Sequence, residues 1–210
     1  MSRLILVRHG TSEYNRAGKW TGTTDVNLAK EGYDDARAMG EMIKDVDFSI
    51  VHTSNLKRTH QTLQEILSVV EKKDITIHKD EALNERDYGV HTGKNKWQVK
   101  EEVGDEEFHK IRRGWDAEIP KGENLKAVYE RVVPYFEKHI LPELKNGQNV
   151  LVVSHGNTLR ALIKHLENVS DEDAPHLEFN FADVHFYDFD ASGNVVDKEI
   201  RSSNLKRIHV

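Results

Sequence analysis

Two short stretches place reactive groups where a chain ordinarily keeps only apolar ones. Leu4-Ile5-Leu6-Val7 has the character of a buried strand, and it runs directly into Arg8-His9-Gly10. Far downstream, Leu151-Val152-Val153 runs into Ser154-His155-Gly156. Arginine keeps its charge at any accessible pH, so burying Arg8 requires an anionic partner. A single core histidine is ordinarily just a satisfied hydrogen-bonding residue; Arg and His side by side at a strand end, followed by Gly, are harder to explain that way. Gly10 permits close backbone approach or positive φ where a side chain would block a ligand. Thr11, Ser12 and Asn15 supply small polar donors just beyond. Such a wall suits an oxyanion, and phosphate is the natural guest of arginine forks. Ser54 is a good N-cap for a helix starting at 55, which would set Arg58 one turn inside it and facing the same strand edge.

The elements that must position these groups alternate along the chain. Residues 3–7 read as a first strand, and Leu28, Ala36, Met39 and Ile43 fall at helical spacing. Residues 48–51 read as a second strand, and 55 to about 71 as a helix with Leu56, Leu63, Ile66, Leu67 and Val70 inward. Ile75 and Ile77 alternate with polar residues, as in a half-buried strand. The highly charged segment 80–122, with Trp97 and Trp115, reads as a helical excursion over one face of the domain. A long helix follows Glu123, carries Leu125, Val128, Val132, Phe136 and Ile140 on one face, and should kink at Pro134. Strand 149–153, helix 158–166 and a hairpin of 184–189 with 195–200 complete the chain. This order predicts an α/β fold: a mainly parallel sheet flanked by helices on both faces, forming one domain over 1–210. Ligands of such sheets sit at the carboxyl ends of the strands, where both His-Gly pairs lie.

The bulk numbers narrow the class. A net charge of −6 argues against a general nucleic-acid binder, while leaving room for a local arginine cluster that holds a small anion. With no cysteine there is no disulfide and no thiolate metal site, which suits a reducing cytosol. The apolar runs fall short of the roughly 20 residues that cross a bilayer, and the four after Arg3 are too few for a signal-peptide core. A cytoplasmic protein without membrane partners is expected.

RHGTSEYN at 8–15 resembles the phosphohistidine signature of the histidine phosphatase superfamily, most closely its cofactor-dependent phosphoglycerate mutase branch. The likeness runs nearly the full chain through WTGTTDVNL at 20–28, TSNLKRTHQT at 53–62, LNERDYG at 83–89, TGKNK at 92–96, RRGW at 112–115, PKGENL at 120–125 and SHGNTLRAL at 154–162. RHG alone would be a weak signal; the ordered set is specific. The resemblance implies the three-layer mutase fold, with the charged excursion over the active-site face. It implies interconversion of 3- and 2-phosphoglycerate in glycolysis and gluconeogenesis, primed by 2,3-bisphosphoglycerate, without a metal. His9 would be the nucleophile; Arg8, Arg58 and His155 would surround the phosphoryl group; Glu85 would be the general acid/base. Ser12, Asn15, Thr21, Gly22, Gly156 and Asn157 would line the cleft, and Tyr88, Lys96, Arg112 and Arg113 would hold the substrate's far end. Glu85 could instead be a loop carboxylate paired with Arg86, and Arg112-Arg113 plain surface charge.

A phosphomonoesterase on the same scaffold is the alternative, and a non-enzymatic phosphate-binding module a third reading. Thr11, Thr23-Thr24 and NFADVHFY at 180–187 depart from the mutase pattern. The 12 histidines contain no HExxH and no tight carboxylate–histidine cluster along the sequence, so His52, His60, His78 and His91 read as scattered surface or structural residues. Trp97 and Trp115 read as packing residues. In the proteins the chain resembles, such tails can close over the cleft; the tail 201–210, with Arg201, Lys206 and Arg207, would then limit hydrolysis of the phosphoenzyme, and a disordered terminus is the alternative. Monomer and homo-oligomer remain equally open.

Overall fold

The computed structural model describes residues 1–203. Its sheet has six strands: β1 (Ser2–Arg8), β2 (Ile50–Thr53), β3 (Thr76–Lys79), β4 (Val150–Ser154), β5 (Asp183–Phe189) and β6 (Val195–Ser202). Their spatial order is β3-β2-β4-β1-β5-β6. The first four are parallel, and β5 and β6 close the other edge as an antiparallel hairpin. Arg8 pairs in register with Ser154, so β1 and β4 deliver His9 and His155 side by side at one sheet end.

β1 is apolar from Leu4 to Val7 because both of its faces are covered there. Leu4 and Leu6 pack beneath α5 (Leu125–Tyr135), α6 (Leu141–Lys145) and α7 (Gly156–Leu166). Ile5 and Val7 pack on the other side beneath α2 (Lys30–Ile43) and α3 (Lys57–Val70). The mainly parallel three-layer α/β fold read from the sequence is the one observed.

Two local expectations are corrected. Ser54 does not cap α3, whose N-cap is Leu56. Its hydroxyl donates to Thr59 Oγ1 and accepts from His155 Nε2, 2.8 Å from each, and from the Leu56 N–H at 3.2 Å, while Asp25 Oδ1 accepts the Lys57 N–H at 2.7 Å. β3, a four-residue edge strand, has all four residues exposed, with Ile77 at 41%, while Ile75 just before it is partly buried against the core. Pro134 does mark an irregularity: α5 passes at Phe136–Ile140 into a π-helical turn before α6, with Pro142 at the start of α6.

The excursion has its own small core of Trp20, Tyr88, Val99, Phe108, Ile111 and Ile119. That core seats α4 (Lys96–Arg113), broken at Gly104, together with the short α1 (Glu13–Arg16) region over the carboxyl end of the sheet. Trp115 packs against the main core, whereas Trp97 is 44% exposed and stacks on Phe108. Among the described residues no helix is long and apolar enough to cross a membrane.

Candidate active site

His9 leaves β1 with its amide donating to Ser154 O at 2.9 Å, which fixes its backbone to the neighbouring strand. Gly10 follows because nothing larger fits: a Cβ there would stand 2.1 Å from the carbonyl oxygen of Gly32. The role is close approach to α2, and its φ is not positive. His9 Nδ1 donates to Gly10 O at 2.7 Å, since a carbonyl can only accept, and this leaves Nε2 as the unprotonated nitrogen of the neutral ring. Burial first, then the charges of Arg58 and Arg8, hold the imidazole well below its ordinary value, so the ring is neutral and nucleophilic at neutral pH.

The arginines and the imidazole around it carry polar atoms without partners. Arg58 is fully buried; it gives Nη1 to Thr24 O at 2.9 Å and Nη2 to Gly22 O at 2.8 Å, and its Nε has no partner. Arg8 lies 3.7 Å from the Phe181 ring centroid, against Gly156, and its Nε is likewise unpartnered. His155 is fully buried, 5.0 Å from His9 between ring centroids, with Nε2 at Ser54 and Nδ1 unpartnered. Thr21 Oγ1 is a fourth buried polar atom without a partner. Burial lowers the pKa of Arg8, Arg58 and His155 alike. Buried polar groups normally find partners, and orphaned ones clustered around one ring mark a place shaped for an anion.

A cavity of about 440 Å³ opens beside this cluster, lined among others by Arg8, Glu85, Tyr88, Lys96, Arg112 and Arg113, and also by Gly156 and Asn157. A recess of about 40 Å³ continues it to His9, Asn15, Thr21, Gly22 and Arg58. Glu85 lines both; its Oε1 accepts from the amides of Arg86 at 2.8 Å and Asn157 at 3.2 Å. The Arg86 guanidinium is bound elsewhere, to the carbonyls of Ile111 and Arg112, so Glu85 is not a mere ion-pair partner of its neighbour. Lys96 is the most perturbed cation of the outer cavity: burial, then Arg112 and Arg8, bring its pKa down to about 7.

The expected residues therefore converge, with two refinements. Ser12 is fully buried and does not line the cleft; it forms a reciprocal cap with Asn15, whose Oδ1 it occupies, so only the Nδ2 amide of Asn15 can serve a ligand. Arg201 turns away, to Asp45, Met42 O and Glu199, and the rest of the tail from 204 lies outside the described residues.

Sequence reasoning missed Arg160, Glu178, Phe179 and Phe181, all of which line the cavity. Arg160 could have been found, standing one turn into α7 from Gly156 on the same face. It donates to Asn157 Oδ1 at 2.7 Å and to Leu177 O, and burial brings its pKa down to about 10. Asn157, so oriented, donates to Tyr88 Oη at 2.9 Å. Glu178 clamps Arg113 with both oxygens, at 2.5 and 3.0 Å, and nothing in its sequence surroundings signals this.

The view of the histidines as scattered is corrected. Among the described residues one group could hold a metal ion, His52, His78 and Glu143, and it lies outside both cavities. It escaped the sequence because sheet pairing sets His52 opposite His78, while Glu143 comes from a distant helix.

Comparisons with known proteins agree with this geometry. The family model described as histidine phosphatase superfamily (branch 1) matches residues 4–200. A 2,3-bisphosphoglycerate-dependent phosphoglycerate mutase of Parvibaculum lavamentivorans is 42% identical, with 94% of this chain and 95% of that protein covered. The protein of the same name from Mesorhizobium japonicum is 41% identical, at 95% and 98% coverage. The crystal structure of an alpha-ribazole phosphatase from Shigella flexneri superimposes with a TM-score of 0.78 at 26% identity, covering 99% of this chain and 98% of that one. An unprotonated ring nitrogen beside arginines with orphaned Nε donors, on this sheet and with this full-length similarity, makes the chain a member of the histidine phosphatase superfamily.

Proposed function

We propose that the chain, acting as one unit over 1–210, is a cytoplasmic 2,3-bisphosphoglycerate-dependent phosphoglycerate mutase that works through a phosphohistidine on His9. The observation that carries this reading is the set of orphaned polar atoms, the donors Arg8 Nε and Arg58 Nε with His155 Nδ1 beside them, in one buried cluster around His9 and continuous with a basic outer cavity. A glycerate bearing three anionic groups fits that arrangement: one phosphoryl at His9, and the carboxylate and second phosphate among Lys96, Arg112, Arg113 and Tyr88. The unpartnered donors fit a bisphosphorylated primer for the same reason, and its chemical contribution is the phosphoryl group that charges the enzyme.

In the reaction, the His9 Nε2 lone pair attacks phosphorus as the bond from phosphorus to the donor oxygen breaks. Glu85 supplies the proton to the departing hydroxyl and removes one from the acceptor hydroxyl in the return transfer. Arg8 and Arg58 neutralise the equatorial oxygens, a task that needs no metal, while His155 packs beside them. His155 and Ser54 act together, because the bond to Ser54 fixes the ring that faces the phosphoryl group.

A hydrolytic reading is favoured by one observation, the Arg113–Glu178 clamp, which occupies a cation that a mutase substrate would need. Phosphorus NMR of the protein with 3-phosphoglycerate and a trace of 2,3-bisphosphoglycerate separates the two. Primer-dependent 2-phosphoglycerate supports the mutase, and inorganic phosphate alone refutes it. His9→Ala should abolish the acid-labile phosphoenzyme.

A further inference from the structure

The parallel pairing of β2 with β3 places His52 directly opposite His78, and residues so paired project from the same face of the sheet. Their imidazoles stack at 4.9 Å between centroids, 27° apart in plane. From the helical layer above, Tyr135 and Glu143 reach the same spot from either side of the π-helical turn Phe136–Ile140. Such turns insert one residue and re-aim the side chains around them. Tyr135 Oη stands 2.8 Å from His52 Nδ1, and Glu143 Oε2 2.8 Å from His52 Nε2. The other carboxylate oxygen, Oε1, is 3.9 Å from His78 Nε2. One ligand atom from each of His52, His78 and Glu143 can be chosen so that all lie within 4.8 Å of one another.

The geometry points to a binding site for a divalent transition-metal ion of the zinc class, held by His52, His78 and Glu143. Two imidazole nitrogens and one carboxylate oxygen form a borderline donor set that favours zinc-like ions over magnesium or calcium. Three donors at about 2.1 Å from a tetrahedral ion would stand about 3.4 Å apart, so His52 and Glu143 part slightly while His78 moves in. His78 is 47% exposed at its side chain, which gives it room to move and leaves the fourth position to water. Tyr135 completes the arrangement. A phenol both donates and accepts, so it serves His52 Nδ1 whether Nε2 carries a proton for Glu143 or a lone pair for the ion.

A plain structural role accounts for less of this. The buried His52 is satisfied by Glu143 and Tyr135 alone, and neither contact calls for a second imidazole stacked over the first. The ion would have a mechanical consequence. β3 is an edge strand with all four residues exposed, joined to the sheet through β2, and the ion would tie it to α6. None of the three residues lines the catalytic cavities, so turnover should not require the ion.

The test is a titration of untagged, EDTA-stripped full-length protein with zinc alone, followed by calorimetry against a competing chelator. His78→Ala and Glu143→Gln are measured alongside; His78 is exposed enough to replace without disturbing the core. The wild type should bind one equivalent with micromolar or tighter affinity, and each variant should lose at least tenfold. Cobalt should give the intense visible absorption of a four-coordinate ion in the wild type only. Saturating zinc should raise the melting temperature of the wild type and not of His78→Ala. No one-to-one binding by the wild type, or equal binding by His78→Ala, overturns the assignment.

Discussion

Glu178→Gln is the most informative perturbation of the cleft, because it asks whether the Arg113 clamp competes with substrate. In the structure both carboxylate oxygens of Glu178 meet the Arg113 guanidinium, at 2.5 and 3.0 Å, with the side chains 57% and 20% exposed. Solvent screening at that exposure limits such a pair to about 0.5–1 kcal/mol, even with two-point geometry. A substrate carboxylate that takes Arg113 must first give up that amount. Removing the charge while keeping the shape should lower KM for 3-phosphoglycerate by about 2–5-fold, from the same energy divided by RT. The contact is made equally in ground and transition states, so kcat should change by less than about twofold. The assay is steady-state turnover of 3-phosphoglycerate, beside a phosphomonoester that lacks a carboxylate and should show no gain. An unchanged KM would refute the competition. A raised one would mean that Glu178 holds Arg113 in place for the substrate.

Four further outcomes follow from the same geometry. Lys96, brought down to about 7 by burial and by Arg112 and Arg8, loses its proton above neutrality in the free enzyme, whereas a bound anion restores it. KM for the phosphoglycerate should therefore climb from about pH 7 to 9, and Lys96→Arg should flatten that climb. Gly10→Ala sets a Cβ 2.1 Å from a backbone oxygen that cannot move aside, and should cost about 1–3 kcal/mol by urea denaturation together with most of kcat. Gly147→Ala, with positive φ and nothing within 4 Å, should cost about 1–2 kcal/mol and leave kcat unchanged. His9 and His155 are both depressed from 6.5, so the unfolded chain binds more protons than the native one below that pH. Their contribution is intact above 6.5 and is lost as the pH falls, at up to about 1.4 kcal/mol per pH unit for each ring. His9→Gln should make the decline in urea midpoint between about pH 7.5 and 5.5 shallower than in the wild type; an identical decline would place the proton uptake elsewhere.

The legible parts of this molecule are those where one residue type has one physical reason to be present. β1 and β4 could be read because continuous apolar runs signal strands covered on both faces, and a charge at their ends has nowhere to go but a ligand site. Arg58 was placed correctly near that site although Ser54 was given the wrong task. A serine just before a helix looks like a cap, and only the fold brings His155 to compete for its hydroxyl. Glu178, Phe181 and the pairing of His52 with His78 were not legible, because each depends on which loop or strand lies beside another. The π-helical turn was seen only as a kink at Pro134. Its register, which aims Tyr135 and Glu143 at His52, belongs to packing rather than to local propensity.

The cluster at His9 is consistent only when taken as a unit. Burying Arg8 and Arg58 near one another costs stability, and the Nε–H groups left without partners add to that cost. Burial and the charges of Arg58 and Arg8 keep the His9 ring neutral, so its Nε2 lone pair is available for attack without a separate base. The groups around that ring are oriented before any ligand arrives: Arg58 by the carbonyls of Gly22 and Thr24, His155 by Ser54, and Arg8 by the Phe181 ring. An entering phosphoryl group would supply the missing acceptors and relieve the mutual repulsion of the cations. Binding would then draw on strain already present in the folded protein, and donors set in advance have no reorganisation left to perform in the transition state.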